Sequence, residues 1–388
     1  MKIAFLIESF LPFSQGGSEL STYYLAKDLA RLGHKVTIIT PNLGAKPSEA
    51  ISRIKIIRYP FYLKQSRYYS SPGNFAYNNP LWIIWSAIFI FIYIKREQVD
   101  VIHIHGKYSI PPAKLANLFL RKKMVATVRD YQIICNYGFC LYKKDKSCNI
   151  IEYFMSDFIY YWNNYVLNKN IFSLFFNLTY AVIGRINRNI LNYFARGILL
   201  VTLSKKQKNI FEANGFNNII VIGNSIDFPK EPPKIKKRNQ VIYAGRLTPG
   251  KGVNLIIDLL PRFFAVFPKY SFVFVGKGFL KEELKKLSKQ YKGIKLMEQV
   301  NHGKLLALFA ESKLTIVPSI WPEPFGRIPM ESFSQKTPVI VTNKGGLPEH
   351  IKDGKWGYVS EASSKKLLYS IKIALQNNKR LQGNINDD

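Results

Sequence analysis

At 388 residues the chain is long enough for about two domains, each with its own core. Its formal charge of +31 comes from 56 basic against 25 acidic residues, with 28 against 12 in residues 1–228 and 28 against 13 in residues 229–388, which excludes a detached basic tail as the source. Such a charge draws a protein toward phosphorylated ligands, acidic lipid surfaces or nucleic acid, the alternative being lysine-rich, Ile/Asn-rich coding.

Met1-Lys-Ile-Ala-Phe-Leu-Ile has the look of a signal peptide, but Glu8 interrupts the apolar run and no small-residue cleavage site follows, so it reads as a buried first strand, Ile3–Ile7. The three cysteines suit a reducing compartment, hence a cytoplasmic location. Next come Gly16-Gly17, an amphipathic helix to Leu32, Gly33-His34 and a strand at Val36–Thr40. That is a βαβ unit with glycines at the helix start, where free N–H groups and the helix dipole favour a phosphate.

Residues 68–94 carry no charge, and Leu81–Ile94 is nearly all apolar, with Trp82 and Trp85. Fourteen helical residues span about 21 Å against the roughly 30 Å of a bilayer core, so the segment does not cross a membrane. A helix apolar all round is either buried or inserted at an interface. Both readings stay open, the aromatic and Lys95-Arg96 flank suiting a lipid headgroup region. The strand from Val101 brings His103 and His105 to one side; with no carboxylate or third histidine nearby they read as polar-site or core histidines rather than metal ligands. Strand Met124–Val128 leads into Arg129-Asp130-Tyr131. Arginine cannot act as a base near neutral pH but can bind a phosphate or support a reacting oxygen electrostatically.

Cys135, Cys140 and Cys148 are spaced C-x4-C-x7-C. They could supply three zinc ligands, yet no CxxC is present and no fourth ligand is evident, so they read as unliganded or structural and no metal is expected. Between Tyr153 and Tyr180 eleven of 28 residues are aromatic, marking an insertion over about 150–195 that forms helices, either as ordinary packing or as a membrane or lipid platform. Strand Gly197–Thr202, a helix with Lys205, Lys206 and Lys208, and Val221–Asp227 close a first domain, 1–228. A proline- and lysine-rich linker from Pro229 opens the second, 229–388.

Strand Val241–Ala244 runs into Gly245-Arg246-Leu-Thr-Pro-Gly-Lys251-Gly252, two cations five apart around a glycine turn, a pattern suited to a pyrophosphate. Strand Phe272–Val275 leads to Gly276-Lys277-Gly278, and no Asp-x-Asp pair occurs in the chain. Strand Leu314–Val317 stops at proline-rich backbone, with a helix from about Met330. Such a loop sits at the carboxyl end of a parallel strand, where open α/β sheets bind ligands. It can present N–H groups of Phe325, Gly326 and Arg327 to an oxygen-rich ligand. Glu323 in the loop and Glu331 on the first helical turn can accept hydrogen bonds from two sugars, a ribose and the sugar attached to it.

The Glu323-x7-Glu331 spacing, with Pro-Phe-Gly inside it and Gly345-Gly346-Leu-Pro-Glu349 after it, resembles the retaining glycosyltransferases of family 4, of the bacterial and archaeal cell-surface polysaccharide type. The resemblance covers most of residues 1–360 apart from the aromatic insertion. It implies an α/β GT-B fold: two facing doubly wound Rossmann-like domains with a cleft between them, an acceptor-side domain at 1–228 and a nucleotide-sugar donor domain at 229–388.

It also implies donor contacts from Gly16 and Gly17 across the cleft, from Arg246 and Lys251 as a diphosphate clamp, and from Gly276, Glu323, Phe325, Gly326, Arg327 and Glu331. Arg246, Lys251 and Glu323 are the implied catalytic residues, and His105, Arg129 and Asp130 lie on the acceptor side. The implied reaction is a metal-independent, retaining transfer from a nucleoside diphosphate sugar to a glycan or lipid-linked hydroxyl. No cofactor and no nucleic acid take part, and the protein is expected in the cytoplasm, peripheral to an anionic membrane face.

Two features depart from the family. A histidine often stands where this chain has Arg129, which puts a histidine-assisted mechanism in doubt. The long final segment that crosses back onto the first domain is replaced by about one helix before Asp388, which weakens the expectation of inter-domain closure. The rival class, a non-catalytic binder of nucleic acid or anionic membrane, predicts basic residues grouped on one surface with stacking aromatics, whereas the charge here is evenly divided.

Overall fold

The computed structural model describes residues 1–13, 17–61, 77, 79–142, 144–166, 168–224, 226 and 235–386. Gly16, residues 68–76 and 78 of the charge-free stretch, and residues 229–234 of the linker lie outside them. The chain divides into two units, Met1–Asp227 and Phe228–Asp388.

The first unit holds eight strands: β1 (Lys2–Leu6), β2 (Lys35–Pro41), β3 (Ser48–Ile51), β4 (Ile54–Tyr59), β5 (Val101–Ile104), β6 (Lys123–Thr127), β7 (Leu199–Thr202) and β8 (Ile219–Val221). They form one sheet in the order β3-β4-β2-β1-β5-β6-β7-β8. The pairs are parallel except β3 with β4. β1 and β2 are buried along almost their whole length, because helices cover both faces of a parallel sheet and continuous apolar runs are what such strands require. The winding reverses where β1 lies between β2 and β5.

The second unit repeats the plan with β9 (Gln240–Ala244), β10 (Ser271–Val275), β11 (Ile294–Met297), β12 (Leu314–Val317), β13 (Val339–Thr342) and β14 (Gly357–Ser360). All are parallel in the order β11-β10-β9-β12-β13-β14, which places the reversal between β9 and β12. Ligands of open α/β sheets bind at the carboxyl ends of the strands flanking such a reversal.

The apolar segment around Leu81 forms the helix Pro80–Glu97, started by Pro80 and by the Asn79 side chain accepting from the Leu81 N–H at 2.9 Å. It is neither wholly buried nor wholly exposed. Trp82, Ser86, Ile90 and Ile94, four residues apart, face the core, while Leu81, Ile84, Ile88 and Ile92 are exposed. Trp82 is only 6% exposed and packs edge-on against Tyr77 at 5.1 Å, so for this residue the buried one of the two open readings holds. Among the described residues no helix is long and apolar enough to cross a membrane.

The aromatic insertion is helical, with a π-helical turn at Tyr153–Phe158 and a long helix at Ile171–Ala195. The latter buries Ala181, Gly184, Asn187, Leu191 and Ala195 along one stripe, whereas Phe172 and Phe175 near its start are 84% and 76% exposed.

Replacing Trp82 by Ala is expected to cost about 3–5 kcal/mol of stability, and Ile84→Ser to stay within about 0.5 kcal/mol, since only the first leaves a cavity. Urea unfolding followed by circular dichroism reads the difference, and equal midpoints for the two variants would contradict the packing described.

Candidate functional site

In the second unit the loops that leave β9 and β12 are bound to each other. The Ile320 and Trp321 N–H groups donate to the Gly250 carbonyl at 3.1 and 3.0 Å. Gly252 has φ +72°, and a Cβ there would overlap the Pro318 carbonyl, so no other residue fits this approach. The result sets Lys251, in the turn Pro249–Lys251, against the loop acid: Lys251 Nζ lies 2.5 Å from Glu323 Oε1, and Ser319 Oγ donates to the same oxygen at 2.7 Å.

The Glu323 backbone is held as well, its carbonyl accepting from the Gly346 N–H at 2.7 Å. Gly345 sits beside it at φ +61°, where a Cβ would meet Glu323 backbone. Burial works to raise the Glu323 carboxyl, but Lys251, the Ser319 hydroxyl and the charge of Arg246 override it and keep the group ionised. Arg246 is itself exposed at the end of β9. Gly276 follows β10 directly, with its N–H bound to the Met297 carbonyl at 3.1 Å.

The helix after this loop starts at Arg327, three residues before the expected Met330. Gly326 at φ +81° makes the break, and Pro329 is tolerated within the first turn, where an N–H has no intrahelical partner in any case. Glu331 therefore lies one turn in and is buried. Its Oε1 accepts from Arg327 Nε at 3.2 Å, and Arg327 Nη2 and His302 Nε2 lie 3.2 and 3.4 Å from the same oxygen. Burial pushes the Glu331 carboxyl up, and His302 with Arg327 brings it below the usual carboxylate range. Phe325 is buried, its ring edge-on to His350 at 4.2 Å, and its carbonyl accepts from His350 Nε2 at 2.7 Å. Burial holds His350 below its ordinary value, hence neutral.

In the first unit the ends of β1, β5 and β6 line a cavity of about 270 Å³ that includes Glu8, His105, Lys107, Tyr108, Arg129 and Asp130. The first turn of the helix Gly17–Arg31 contributes Ser18 and Glu19 to the same wall. Glu8 accepts from the N–H groups of Tyr108 and of Ser109, the latter at 3.1 Å, and burial pushes its carboxyl up. Burial works to lower the Lys107 ammonium, but Asp130, 2.5 Å away, holds it charged.

Arg129 donates through Nη1 to Asn224 Oδ1 at 2.7 Å and through Nη2 to His105 Nδ1 at 3.2 Å. A guanidinium has only donors, so Nδ1 accepts, and neutral His105 carries its proton on Nε2. That atom has no hydrogen-bond partner among the described residues. Burial, with the neighbouring His103 and Arg129, keeps His105 well below its ordinary value, and burial takes His103 down to about 4.

The structure thus brings His105, Arg129 and Asp130 together in one unit, and Arg246, Lys251, Glu323, Phe325, Gly326, Arg327 and Glu331 around one sheet edge in the other. Sequence reasoning missed Glu8, Lys107 and Asn224, and also Ser319, His302 and His350. Glu8 carried a signal, a charge directly at the end of a buried parallel strand. His302 and His350 reach the site from distant segments with no local pattern.

Residues 224–386 match the family model described as glycosyl transferases group 1, and residues 15–159 match that of glycosyltransferase family 4. The chain is 25% identical over 392 residues to the phosphatidylinositol N-acetylglucosaminyltransferase GPI3 subunit of Saccharomyces cerevisiae, covering 96% of this chain and 75% of that one. It is 29% identical over 150 residues to glycogen synthase of Mycobacterium tuberculosis, a match covering 37% of this chain and only 36% of that relative. In structure it resembles sucrose-phosphate synthase from Thermosynechococcus elongatus, with TM-score 0.70 and 16% identity over 100% of this chain and 93% of that one. It also resembles Anabaena HepE in complex with UDP, with TM-score 0.67 and 18% identity over 99% and 93%. These likenesses are of fold, GT-B.

Neutral buried histidines make the first unit acid-sensitive. His103 titrates near 6.5 when unfolded and about 4 when folded, so between those values the unfolded chain binds more protons and stability falls as pH drops. Lowering the pH from 7 to 5 should cost about 2 kcal/mol through His103, and His103→Gln should lose that much less over the same interval. Urea titrations at the two pH values measure it; identical losses in both proteins would rule the linkage out.

Proposed function

The chain belongs to the glycosyltransferases of family 4, and on that footing we propose that it moves a hexose from a nucleoside diphosphate sugar to a hydroxyl of a glycan or lipid-linked acceptor. The transfer retains the anomeric configuration and uses no metal. The observation that carries this reading is the Lys251–Glu323 pair at the strand reversal of the second unit, beside Arg246.

Lys251 and Ser319 meet Oε1 of Glu323, and Arg327 meets Oε1 of Glu331. In this reading the Glu323 carboxylate accepts from a hydroxyl of the transferred sugar, and the Glu331 carboxylate from the ribose. Lys251 keeps further N–H donors for the diphosphate, which Arg246 also meets. In the reaction the bond from the anomeric carbon to the diphosphate oxygen breaks and the bond to the acceptor oxygen forms on the same face. The acceptor proton passes to the departing phosphate oxygen, and Arg246 and Lys251 stabilise the growing charge. An ionised Glu323 tied to Lys251 and Ser319 suits holding a sugar rather than attacking one, unlike the paired carboxylates of a retaining glycosidase.

The cavity of the first unit suits the acceptor. Its His105 Nε2–H is a donor for a hydroxyl, and Lys107 and Arg129 favour an anionic group. A lipid-linked acceptor is favoured by the exposed Ile171, Phe172, Phe175 and Phe176 on the helix Ile171–Ala195, together with the +31 charge. Apolar insertion and attraction to anionic lipid are each marginal alone and add.

Incubation with UDP-, GDP- and ADP-sugars should show slow hydrolysis of one donor by mass spectrometry, and inertness toward every donor would sink the proposal. Arg246→Ala and Lys251→Ala should each slow that turnover by about a hundredfold or more. Magnesium or manganese should leave it unchanged, and dependence on either ion would overturn the metal-free reaction.

On acidic vesicles the protein should sediment at low salt and release only partly at high salt, where charges are screened. Phe172→Ser with Phe175→Ser and Phe176→Ser should make the release complete. A wild type that ignores vesicles at every salt concentration would point to a soluble acceptor.

A further inference from the structure

The fourth ligand absent from the cysteine spacing is supplied by the fold. Beyond β6 the chain turns Cys135, Cys140 and Cys148 inward, and the π-helical turn Tyr153–Phe158 brings Asp157 to them; all four are buried. Cys135 Sγ lies 3.6 Å from Cys140 Sγ and 3.8 Å from Cys148 Sγ, and Asp157 Oδ2 lies 3.0 Å from Cys135 Sγ and 3.6 Å from Cys148 Sγ. The four ligand atoms all fall within 4.8 Å of one another. We propose that Cys135, Cys140, Cys148 and Asp157 bind one structural zinc ion.

Four features support a metal over a cluster of idle thiols. The first is spacing: tetrahedral zinc with Zn–S near 2.3 Å sets its sulfurs about 3.8 Å apart, as here, whereas an iron–sulfur cluster needs its cysteines spread around several atoms. The second is the carboxylate. Among the described residues Asp157 is buried against two thiols and the Cys140 backbone, and a buried carboxylate calls for a cation or a ligand bond. The third is the supporting shell: the Gly138 N–H points at Cys135 Sγ at 3.3 Å, the kind of contact that orients a metal-bound thiolate. The fourth is charge. Zinc with three thiolates and a carboxylate carries a net charge of about −2; Arg185 donates to the Cys148 carbonyl at 3.2 Å, and Arg188 has a buried Nε with no hydrogen-bond partner among the described residues.

Four protein ligands leave no open position, so the ion is structural and takes no part in the transfer. Its effect is on the cavity wall. The Cys135 N–H binds the Tyr131 carbonyl at 2.8 Å, and the Gln132 N–H binds Asp130 Oδ1 at 2.9 Å, so the segment that carries Arg129 and Asp130 runs directly into the first ligand. Zinc pins that segment to the aromatic helices.

The test is metal content, which needs neither donor nor acceptor and so stands or falls apart from the proposed reaction. Full-length protein from zinc-supplemented cells, purified without chelator, should contain about one zinc per chain by mass spectrometry, and a mercurial thiol reagent should release it. Cobalt exchanged into the wild type should give a sulfur-to-cobalt charge-transfer band and the strong visible bands of a tetrahedral site. Asp157→Asn should lower the zinc content severalfold, whereas Asp157→Cys, which restores a fourth ligand, should retain it. Wild-type protein with under a tenth of an equivalent of zinc and no cobalt bands overturns the proposal, as does a disulfide between two of the three cysteines in the protein as isolated.

Discussion

The second unit depends on one carbonyl oxygen. Gly250 O, at the turn after β9, receives the N–H groups of both Ile320 and Trp321 from the loop after β12, and Ser319 Oγ approaches it at 3.3 Å. Two loops far apart in sequence become one rigid body, and only then do Lys251 and Glu323 meet. The pair is thus a consequence of backbone hydrogen bonding, not its cause. Its charges are set where the sheet reverses, so any ligand that competes for Lys251 leaves a buried carboxylate in need of a new partner.

The two units solve opposite electrostatic problems with the same topology. After β9 and β12 the largely buried acids are kept ionised by cations in contact with them, Glu323 by Lys251 and Glu331 by Arg327. At β1 and β5 the buried imidazoles of His103 and His105 are kept neutral. The first arrangement offers fixed negative acceptors for hydroxyls, while the second offers a neutral donor beside cations. These are complementary provisions for the two ends of a group transfer.

The central parallel strands β1, β2, β5, β6, β7, β9, β10 and β12 were legible because burial on both faces demands runs rich in Val, Ile, Phe and Leu, which Gly and Pro then punctuate, whereas β11, β13 and β14 were not read as strands. The hairpin of β3 and β4 went unread, since its turn uses Ser52 and Arg53 at φ +51° and +66° in place of the Asn-Gly signal that such a conformation normally carries. The segment around Trp82 stayed ambiguous because its composition is apolar on every side, and only the core can decide which side is covered. Arg246, Lys251, Glu323 and Glu331 were visible as motif residues, but not the partners that fix the charge of the acids. Ser319 lies four residues from Glu323, yet a serine in a loop has no distinguishing pattern, and His302 arrives from another helix. Asp157 hid for a geometric reason: the wider π turn places it toward the thiols, and no linear spacing encodes that.

The helix Ile171–Ala195 is clamped along its second half and bare along its first. Twenty-five residues make a rod of about 37 Å, stiff over that length. Near its clamped end Asn192 Nδ2 donates to the Ile133 carbonyl at 3.3 Å, and Ile133 lines the cavity of the first unit. A load on the aromatic tip is therefore borne by the stripe from Ala181 to Ala195, and that same stripe holds, through Asn192, the wall where His105 and Arg129 sit.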